Sequence, residues 1–464
     1  MKIDLPVAET PHLLKETTSR RPTCHARAPA RVVSVAGKVF LERTCVEHGT
    51  QSVCISSDER FYHVSVGNRC EPSGQCCSPP SAVGSDPLEK LSTCLALIEI
   101  VDSCNLACPT CFADSPVSRQ VDCVSIDDFK QRVDGVIERK GEIEILQLSG
   151  GEPTIHPQFF ELLEWAQTHP SIGYVLINTN GVRFARDPQF AATFEARYRR
   201  GKVQLYLQYD GPQEGGQLKL RGADLRALKE QVLDVTGAMD NGGLPVTLAM
   251  TVTEQNLDYL WPATEVGLAR PHVRGIAFQP CFQSGRVGGS PAAERRLNTA
   301  DIILGAVEQA AGRLRFEDFT PLPCGDPNCA TVGYLLRLPG GTRSISEFVD
   351  FAAIQGFLET RINYDLDDLV RCGCESEPLG KLLHGLEVDA SHTFRLFIKP
   401  FMDASTWDDD RIDRCCTHVI RPDGRLDSFC RYYSGFPGTW QAERTPEGAA
   451  NGGQTGADSS RVAE

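Results

Sequence analysis

The chain has 464 residues, enough for two to four domains or one large domain with appendages. Hydrophobic residues make up 41 %, sufficient for a sizeable core, while 61 acidic against 47 basic residues give a formal net charge of −14 and argue against a surface that tracks nucleic-acid phosphate. There is no run of about 18 apolar residues to span a bilayer, and MKIDLPVAETPHLLKETTSRR lacks the continuous apolar stretch of a secretory signal, so a cytoplasmic protein with at most peripheral membrane contact is expected.

In chain order, residues 12–66 read as a small β module. RVVSV and VFLER flank Ala36-Gly37-Lys38, a hairpin turn signal. Cys24 precedes this hairpin, Cys45 follows it, and His48 lies just beyond. Residues 67–93 are rich in Cys, Pro, Ser and Gly and read as an irregular linker. From Cys94 the pattern becomes strand–helix alternation. Strands are expected at Leu95–Val101, Glu144–Leu148, Tyr174–Ile177, Val203–Leu207, Val246–Thr251 and Gly275–Phe278. Helices are expected at Ser125–Lys140, opened by Ser125 with Asp128 three residues on, and at Gln158–Thr168, Asp187–Arg200, Gly222–Met239 and Asn256–Leu268. Such alternation predicts an α/β fold with a parallel sheet, open or curled toward a barrel. After Pro280 the regularity fades: helices near 299–311, 345–362 and 376–386, a strand at Phe394–Lys399, and a hairpin over Val419–Phe429 turning at Pro422-Asp423-Gly424. The polar, Gly-rich tail, 441–464, predicts disorder.

Nineteen cysteines is a high number for an unexported chain, where disulfides are rare and clustered thiols read as metal ligands. The densest group is Cys104, Cys108 and Cys111, spaced C-x3-C-x2-C. Three readings fit it: a structural zinc completed by a fourth ligand such as Cys123, unligated core thiols, or an iron–sulfur cluster on three thiolates with one iron left open. Position favours the cluster, because the three lie directly after the first strand, where parallel α/β folds bind ligands. Other strand ends carry Ser149-Gly150-Gly151-Glu152-Pro153, Asn178-Thr179-Asn180-Gly181, Gln208-Tyr209-Asp210-Gly211 and Gln279-Pro280, all on the same rim.

The C-x3-C-x2-C triad after strand one, with Gly-Gly-Glu-Pro starting 39 positions after Cys111, resembles the radical S-adenosylmethionine (radical SAM) superfamily. That resemblance implies a partial (β/α)6 TIM-like barrel in which Cys104, Cys108 and Cys111 hold a 4Fe–4S cluster and the open iron binds S-adenosylmethionine. Reductive cleavage would then yield a 5′-deoxyadenosyl radical that abstracts hydrogen from an unactivated carbon, in an oxygen-sensitive enzyme. Gly150, Gly151, Glu152 and Pro153 would meet the methionine amino group. Asn178, Asn180, Gln208 and Asp210 would serve the ribose and carboxylate, and Gln279 with Pro280 the adenine. Many members place an aromatic residue just before the third cysteine; here Thr110 stands there, and Phe112 is taken as its substitute.

CLALIEIVDSCNLACPTCFADS, TCVEHG, GIAFQPCFQSGR, PLPCGDPNC and CCTHVIRPDGRLDSFC are similar to a subgroup that includes an archaeal tetraether lipid synthase and dihydropterin-type methyltransferases. The resemblance implies a rubredoxin- or zinc-ribbon-like N-terminal module, a radical SAM core over 94–285 and a C-terminal α+β domain over 286–440 with at least one auxiliary 4Fe–4S cluster. Its ligands would come from Cys324, Cys329, Cys372, Cys374, Cys415, Cys416 and Cys430. The subgroup begins the N-terminal module with C-P-x-C, whereas this chain has Arg21-Pro22-Thr23-Cys24. Either Cys24, Cys45 and His48 still hold a mononuclear iron or zinc, or the site is lost and the module is a folded lid. The expected reaction is C–C bond formation or alkylation on a lipid or isoprenoid chain, with the apolar stripe of EFVDFAAIQGFLETRI as lipid groove or core face. The alternatives are modification of a pterin-like small molecule or a peptide, or a non-catalytic redox sensor. A flavodoxin or ferredoxin would supply electrons, and no nucleic acid partner is expected.

Overall fold

The computed structural model describes residues 10–64 apart from 23 and 46, then 91, 93–118, 121–287, 296–322, 325–348 and 392–434. Cys324, Cys372, Cys374, nearly all of the linker at 67–93, the helices expected beyond 348 with their apolar stripe, and the tail at 441–464 fall outside these residues.

Strands β1 (His12–Arg20), β2 (Arg27–Val35), β3 (Lys38–Cys45) and β4 (Gly49–Ser56) form an antiparallel sheet in sequence order. Ala36 and Gly37 both take positive φ, 51° and 74°, the conformation a two-residue hairpin turn matches to strand twist. Ala30, Val32, Val39, Leu41 and Val53 make its core. Successive turns leave Cys24 (before β2) and Cys45-to-His48 (between β3 and β4) at one end of this sheet. The module is docked, not free-standing: Ser19 Oγ donates to the Trp407 carbonyl at 2.6 Å, and Lys15 Nζ lies 2.8 Å from Asp408 and 3.0 Å from Asp410.

The main sheet is built on β5 (Leu95–Val101), β6 (Ile143–Gly150), β7 (Ile172–Thr179), β8 (Val203–Gln208), β9 (Val246–Val252) and β10 (Val273–Pro280), each parallel to the next. Between them run α1 (Ile126–Lys140), α2 (Phe159–Thr168), α3 (Val182–Arg186), α4 (Pro188–Arg197), α5 (Glu214–Arg221), α6 (Arg226–Ala238) and α7 (Leu260–Leu268), followed by α8 (Thr299–Gln309). Helix α1 starts where expected because Ser125 Oγ accepts from the Asp128 N–H at 3.2 Å, and it stops at Gly141, whose φ is 99°. One continuous core of buried Ile, Leu, Val and Phe lies between sheet and helices.

The region after β10 does not form a sheet of its own. It supplies β11 (Thr320–Pro321), β12 (Thr331–Leu338), β13 (Gly341–Ser344), β14 (Thr393–Ile398), β15 (Thr417–Ile420) and β16 (Leu426–Ser428). β14 pairs in parallel with β10, and β15 in parallel with β5, so the C-terminal chain extends both edges of the core across the boundary expected at 285. The ladder β15-β5-β6-β7-β8-β9-β10-β14 therefore holds eight parallel strands. Its two ends approach without pairing: Lys399 Nζ, one residue past β14, donates to Thr417 Oγ1 in β15 at 3.0 Å. The barrel is partial, with a polar seam on one side.

Candidate functional site

The C-terminal strand ends surround one cavity. It is lined by Cys104, Cys108, Cys111, Phe112, Gly150, Gly151, Glu152, Asn178, Asn180, Gln208 and Gln279, eleven residues expected from the sequence, together with Pro280. Pro153 and Asp210 do not line it. Pro153 is buried at the first position of a 3-10 turn. Asp210, 1 % exposed, turns inward and accepts from Arg221 Nε at 2.6 Å and Nη2 at 3.0 Å, so the wall residue is Arg221.

The cysteine loop is shaped by backbone contacts. The Cys104 N–H donates to the Pro116 carbonyl at 2.8 Å, and the Gly151 and Glu152 N–H groups donate to Val101 at 2.8 Å and Ser103 at 3.0 Å. A Cβ on Gly150 would sit 2.0 Å from the Val101 oxygen, and one on Gly151 1.9 Å from the Ser103 oxygen, so this approach requires glycine at both positions. The far side is clamped by Ser284-Gly285-Arg286. Arg286 donates to the Cys108 carbonyl at 3.1 Å and the Ser115 carbonyl at 2.8 Å, and its own N–H to the Cys111 carbonyl at 2.9 Å. Thr110 also lines the cavity and donates its hydroxyl to the Leu220 carbonyl at 2.9 Å, whereas Phe112 packs edge-on against Tyr433 at 4.9 Å.

Glu152 is the hub beneath the rim. It is 1 % exposed, and its oxygens accept from Thr154 Oγ1 at 2.6 Å, Thr179 Oγ1 at 2.7 Å and the Asn180 N–H at 2.8 Å. Burial raises its carboxyl above the ordinary range, and these donors oppose the shift. Asn180 Nδ2 in turn reaches Asn105 Oδ1 at 2.6 Å and lies 3.8 Å from Cys104 Sγ. Lys229, fully buried, donates to the Asn180 carbonyl at 2.6 Å; burial pushes its ammonium down to about 8 against the pull of Asp210. Burial and the nearby Glu152 push the Cys104 thiol up to about 12.

The donor set tests the sequence alternatives. A single zinc ion with Zn–S bonds near 2.3 Å needs its sulfurs within about 4 Å of one another. Among the described residues, only Cys24, Cys45 and His48 bring three ligand atoms within 4.8 Å of one another. Cys104, Cys108 and Cys111 are more widely spread, and Cys123 is exposed and outside the cavity. Three thiols fanned around one space suit a polynuclear cluster better than one ion.

A second thiol group lies behind the seam. Cys415 lies near enough to Cys430, Cys416 and Cys329, and Cys430 to Cys329, for their charges to interact, and burial raises the thiols of Cys329, Cys415 and Cys430. The Met402 N–H points at Cys430 Sγ at 3.3 Å and Arg411 Nη2 at Cys329 Sγ at 3.5 Å, donors suited to thiolate. Phe429, next to Cys430, stacks on Phe401 at 4.2 Å, and both line the central cavity.

Comparison with known proteins agrees with this geometry. Residues 98–265 match the radical SAM superfamily, and residues 13–57 match the HMPTM N-terminal zinc ribbon domain. The chain therefore carries a radical SAM domain over residues 98–265. It is 28 % identical over 486 aligned positions to the 7,8-dihydro-6-hydroxymethylpterin dimethyltransferase of Methanocaldococcus jannaschii, covering 90 % of this chain and 93 % of that protein. It is 30 % identical to the mycofactocin maturase MftC of Mycobacterium ulcerans over 35 % of this chain and 41 % of that one. Among solved structures, Streptococcus suis SuiB bound to S-adenosylmethionine aligns with a TM-score of 0.34 and 12 % identity, over 45 % of this chain and 44 % of that one. The radical SAM cofactors are a 4Fe–4S cluster and S-adenosylmethionine, and the chain is an enzyme. No described helix is long and apolar enough to cross a membrane.

Residues that motif reading passed over are Arg221, Lys229, Cys281, Arg286, Arg395 and Lys399. Arg286 was within reach, since it closes the GIAFQPCFQSGR segment whose resemblance was noted. Arg221 sits at the end of α5, a helix hidden by Gly215-Gly216.

Proposed function

We propose that this radical SAM enzyme methylates a pterin-like small molecule. The observation that carries the reading is the inner wall of the cavity, where Gln147, Gln204, Tyr206, Thr247, Gln279 and Arg395 project from β6, β8, β9, β10 and β14. Carboxamides and hydroxyls complement the amide and amidine edges of a fused heterocycle. Gln204 already pairs with Thr247 and Gln279 with Tyr206, so an alkyl chain in the same place would strip water from the polar atoms these pairs leave over, at roughly 1–3 kcal/mol for each one left unpaired. That argument and the activity of the M. jannaschii relative support the pterin alternative over the lipid reading.

In this reading Cys104, Cys108 and Cys111 hold the cluster. Gly150 and Gly151 leave room for the methionine end of S-adenosylmethionine, and Asn178, Asn180, Gln208 and Gln279 present amides to its polar parts. When bound, cluster and S-adenosylmethionine supply the 5′-deoxyadenosyl radical that takes hydrogen from the substrate. The protein's share is positioning and exclusion: Glu152 and Lys229 fix Asn180 from both sides, and Phe112, Phe282, Phe401 and Phe429 form an aromatic wall against water. Cys329, Cys415, Cys416 and Cys430 are assigned to an auxiliary 4Fe–4S cluster, and a flavodoxin or ferredoxin to electron supply. The functional division into 12–66, 94–285 and 286–440 is retained, although the sheet is shared.

The test is anaerobic. Reconstituted, dithionite-reduced protein is assayed for 5′-deoxyadenosine with 7,8-dihydro-6-hydroxymethylpterin, with an isoprenoid lipid extract, and with neither. Stimulation by the pterin, with deuterium transfer from labelled pterin into 5′-deoxyadenosine, is expected. Stimulation by lipid alone would sink the substrate assignment and leave the radical chemistry standing.

A further inference from the structure

The N-terminal site has three protein ligands and a buried cation. Cys24 Sγ, Cys45 Sγ and a His48 ring nitrogen all lie within 4.8 Å of one another. Closed zinc sites have four such ligands; the described residues bring three together here. Glu47 is no substitute, because its side chain is 80 % exposed, lies 4.0 Å from His48 Nδ1 and is not part of the mutual grouping.

Arg21 borders the Cys45 sulfur instead. It is 0 % exposed, and apart from that sulfur its Nε, Nη1 and Nη2 meet no hydrogen-bond partner among the described residues. A second buried guanidinium, Arg43, lies near enough to repel it; Arg43 Nη1 is held by Ser19 Oγ at 3.3 Å and the Ser405 carbonyl at 2.7 Å, and neither offers a negative charge. An uncompensated buried cation costs several kcal/mol, so an anionic partner is called for.

Charge arithmetic identifies what that partner must be. A divalent metal on two thiolates and a neutral imidazole is electrically neutral. A neutral fourth ligand would leave Arg21 uncompensated, and a Cys24–Cys45 disulfide would remove the thiolate charge beside it. A monoanion in the fourth position satisfies both the metal and the guanidinium. Access exists from outside, because Cys24 is exposed and the His48 side chain is 36 % exposed. We propose that Cys24, Cys45 and His48 hold a zinc ion whose fourth ligand is a small exogenous anion, of the halide or carboxylate class, seated against Arg21.

The test is zinc K-edge X-ray absorption on the full chain with its iron–sulfur clusters loaded, which reads zinc without interference from iron. Bromide is the probe. The expected shell is two sulfurs, one nitrogen and one bromide, with the bromide displaced by excess acetate. In Arg21→Ala zinc stays and the bromide shell is lost. In Arg21→Cys the site closes with three sulfurs and one nitrogen and ignores bromide. Four protein ligands in the parent regardless of halide, such as a further thiol from elsewhere in the chain, would overturn the proposal. So would the absence of zinc, or a bromide shell unchanged in Arg21→Ala. Should Arg21→Ala fail to fold, the halide response of the parent decides alone.

Discussion

Among the described residues two thiol sites each lack a fourth protein ligand, and they lack it in different ways. In the core loop three cysteines are spread around a cavity whose rim is glycine and amide, with room left beside them. At the N-terminal sheet two cysteines and a histidine converge within 4.8 Å of one another, and a buried guanidinium borders the Cys45 sulfur. The number of ligands is therefore uninformative without their spacing and neighbours. A wide triad beside empty, polar space makes a seat for a cluster and an organic cofactor; a tight triad beside a buried cation makes a seat for one ion and one anion.

The largest expected effect breaks this comparison outright. Cys108→Ala should reduce 5′-deoxyadenosine formation to background, since two thiolates do not hold the cluster, whereas Cys45→Ala should leave substrate-independent formation within about twofold of the parent, about 0.4 kcal/mol. Equal loss in both variants would mean that the two sites act as one.

Next in size is the ion pair behind the rim. Asp210→Asn strips Arg221 of its carboxylate while both remain buried, and should cost about 3–5 kcal/mol in unfolding by urea. Adding Arg221→Met should recover much of that loss, because it removes the stranded charge. A double variant no more stable than Asp210→Asn would show that the pair is not coupled as its 2.6 Å contact implies.

Arg286→Ala tests the clamp on the cluster loop and should weaken that loop by about 1–3 kcal/mol through the unmet Cys108 and Ser115 carbonyls. The expected readout is faster loss of iron to a chelator with little change in the global unfolding midpoint. Unaltered iron release would remove Arg286 from the positioning of the cysteines.

The sequence carried the parts of this architecture that depend on local pattern. Leu95–Val101 is a strand with the bounds expected, and α1 begins at its Ser125 cap, because a short continuous apolar run and capping are local effects. The seam was not legible. β14 and β15 pair with opposite edges of the core, and only the folded sheet makes Thr393–Ile398 and Thr417–Ile420 neighbours of β10 and β5. β12 and β13 were missed because Pro339-Gly340-Gly341 reads as loop, although it turns a hairpin. Asp210 was placed at the cofactor by its strand-end position, yet its direction is set by Arg221, from a helix that was not expected. Arg21 showed only as a missing cysteine; that its guanidinium is buried beside the Cys45 sulfur is a tertiary fact.

The smallest prediction separates the core site from its support through pH. Lys229 is pushed down to about 8 in the folded chain from 10.5, chiefly by burial. Between those values the unfolded chain holds a proton that the folded chain has released, so this group adds stability as pH rises from 8 toward 10.5, by about 1 kcal/mol per pH unit. The buried thiols of Cys104, Cys108, Cys415 and Cys430 are pushed the other way, keeping protons that the unfolded chain loses, and they subtract stability over the same range. The cluster-free parent should therefore lose stability on alkalinisation, and Lys229→Met should lose it more steeply, since only the opposing group has been removed. Urea unfolding of both proteins between pH 8 and 10 reads the difference in slope. Parallel curves would mean that Lys229 keeps its proton, held by Asp210 and the Asn180 carbonyl, and that the ammonium beneath the rim is a permanent charge of the site.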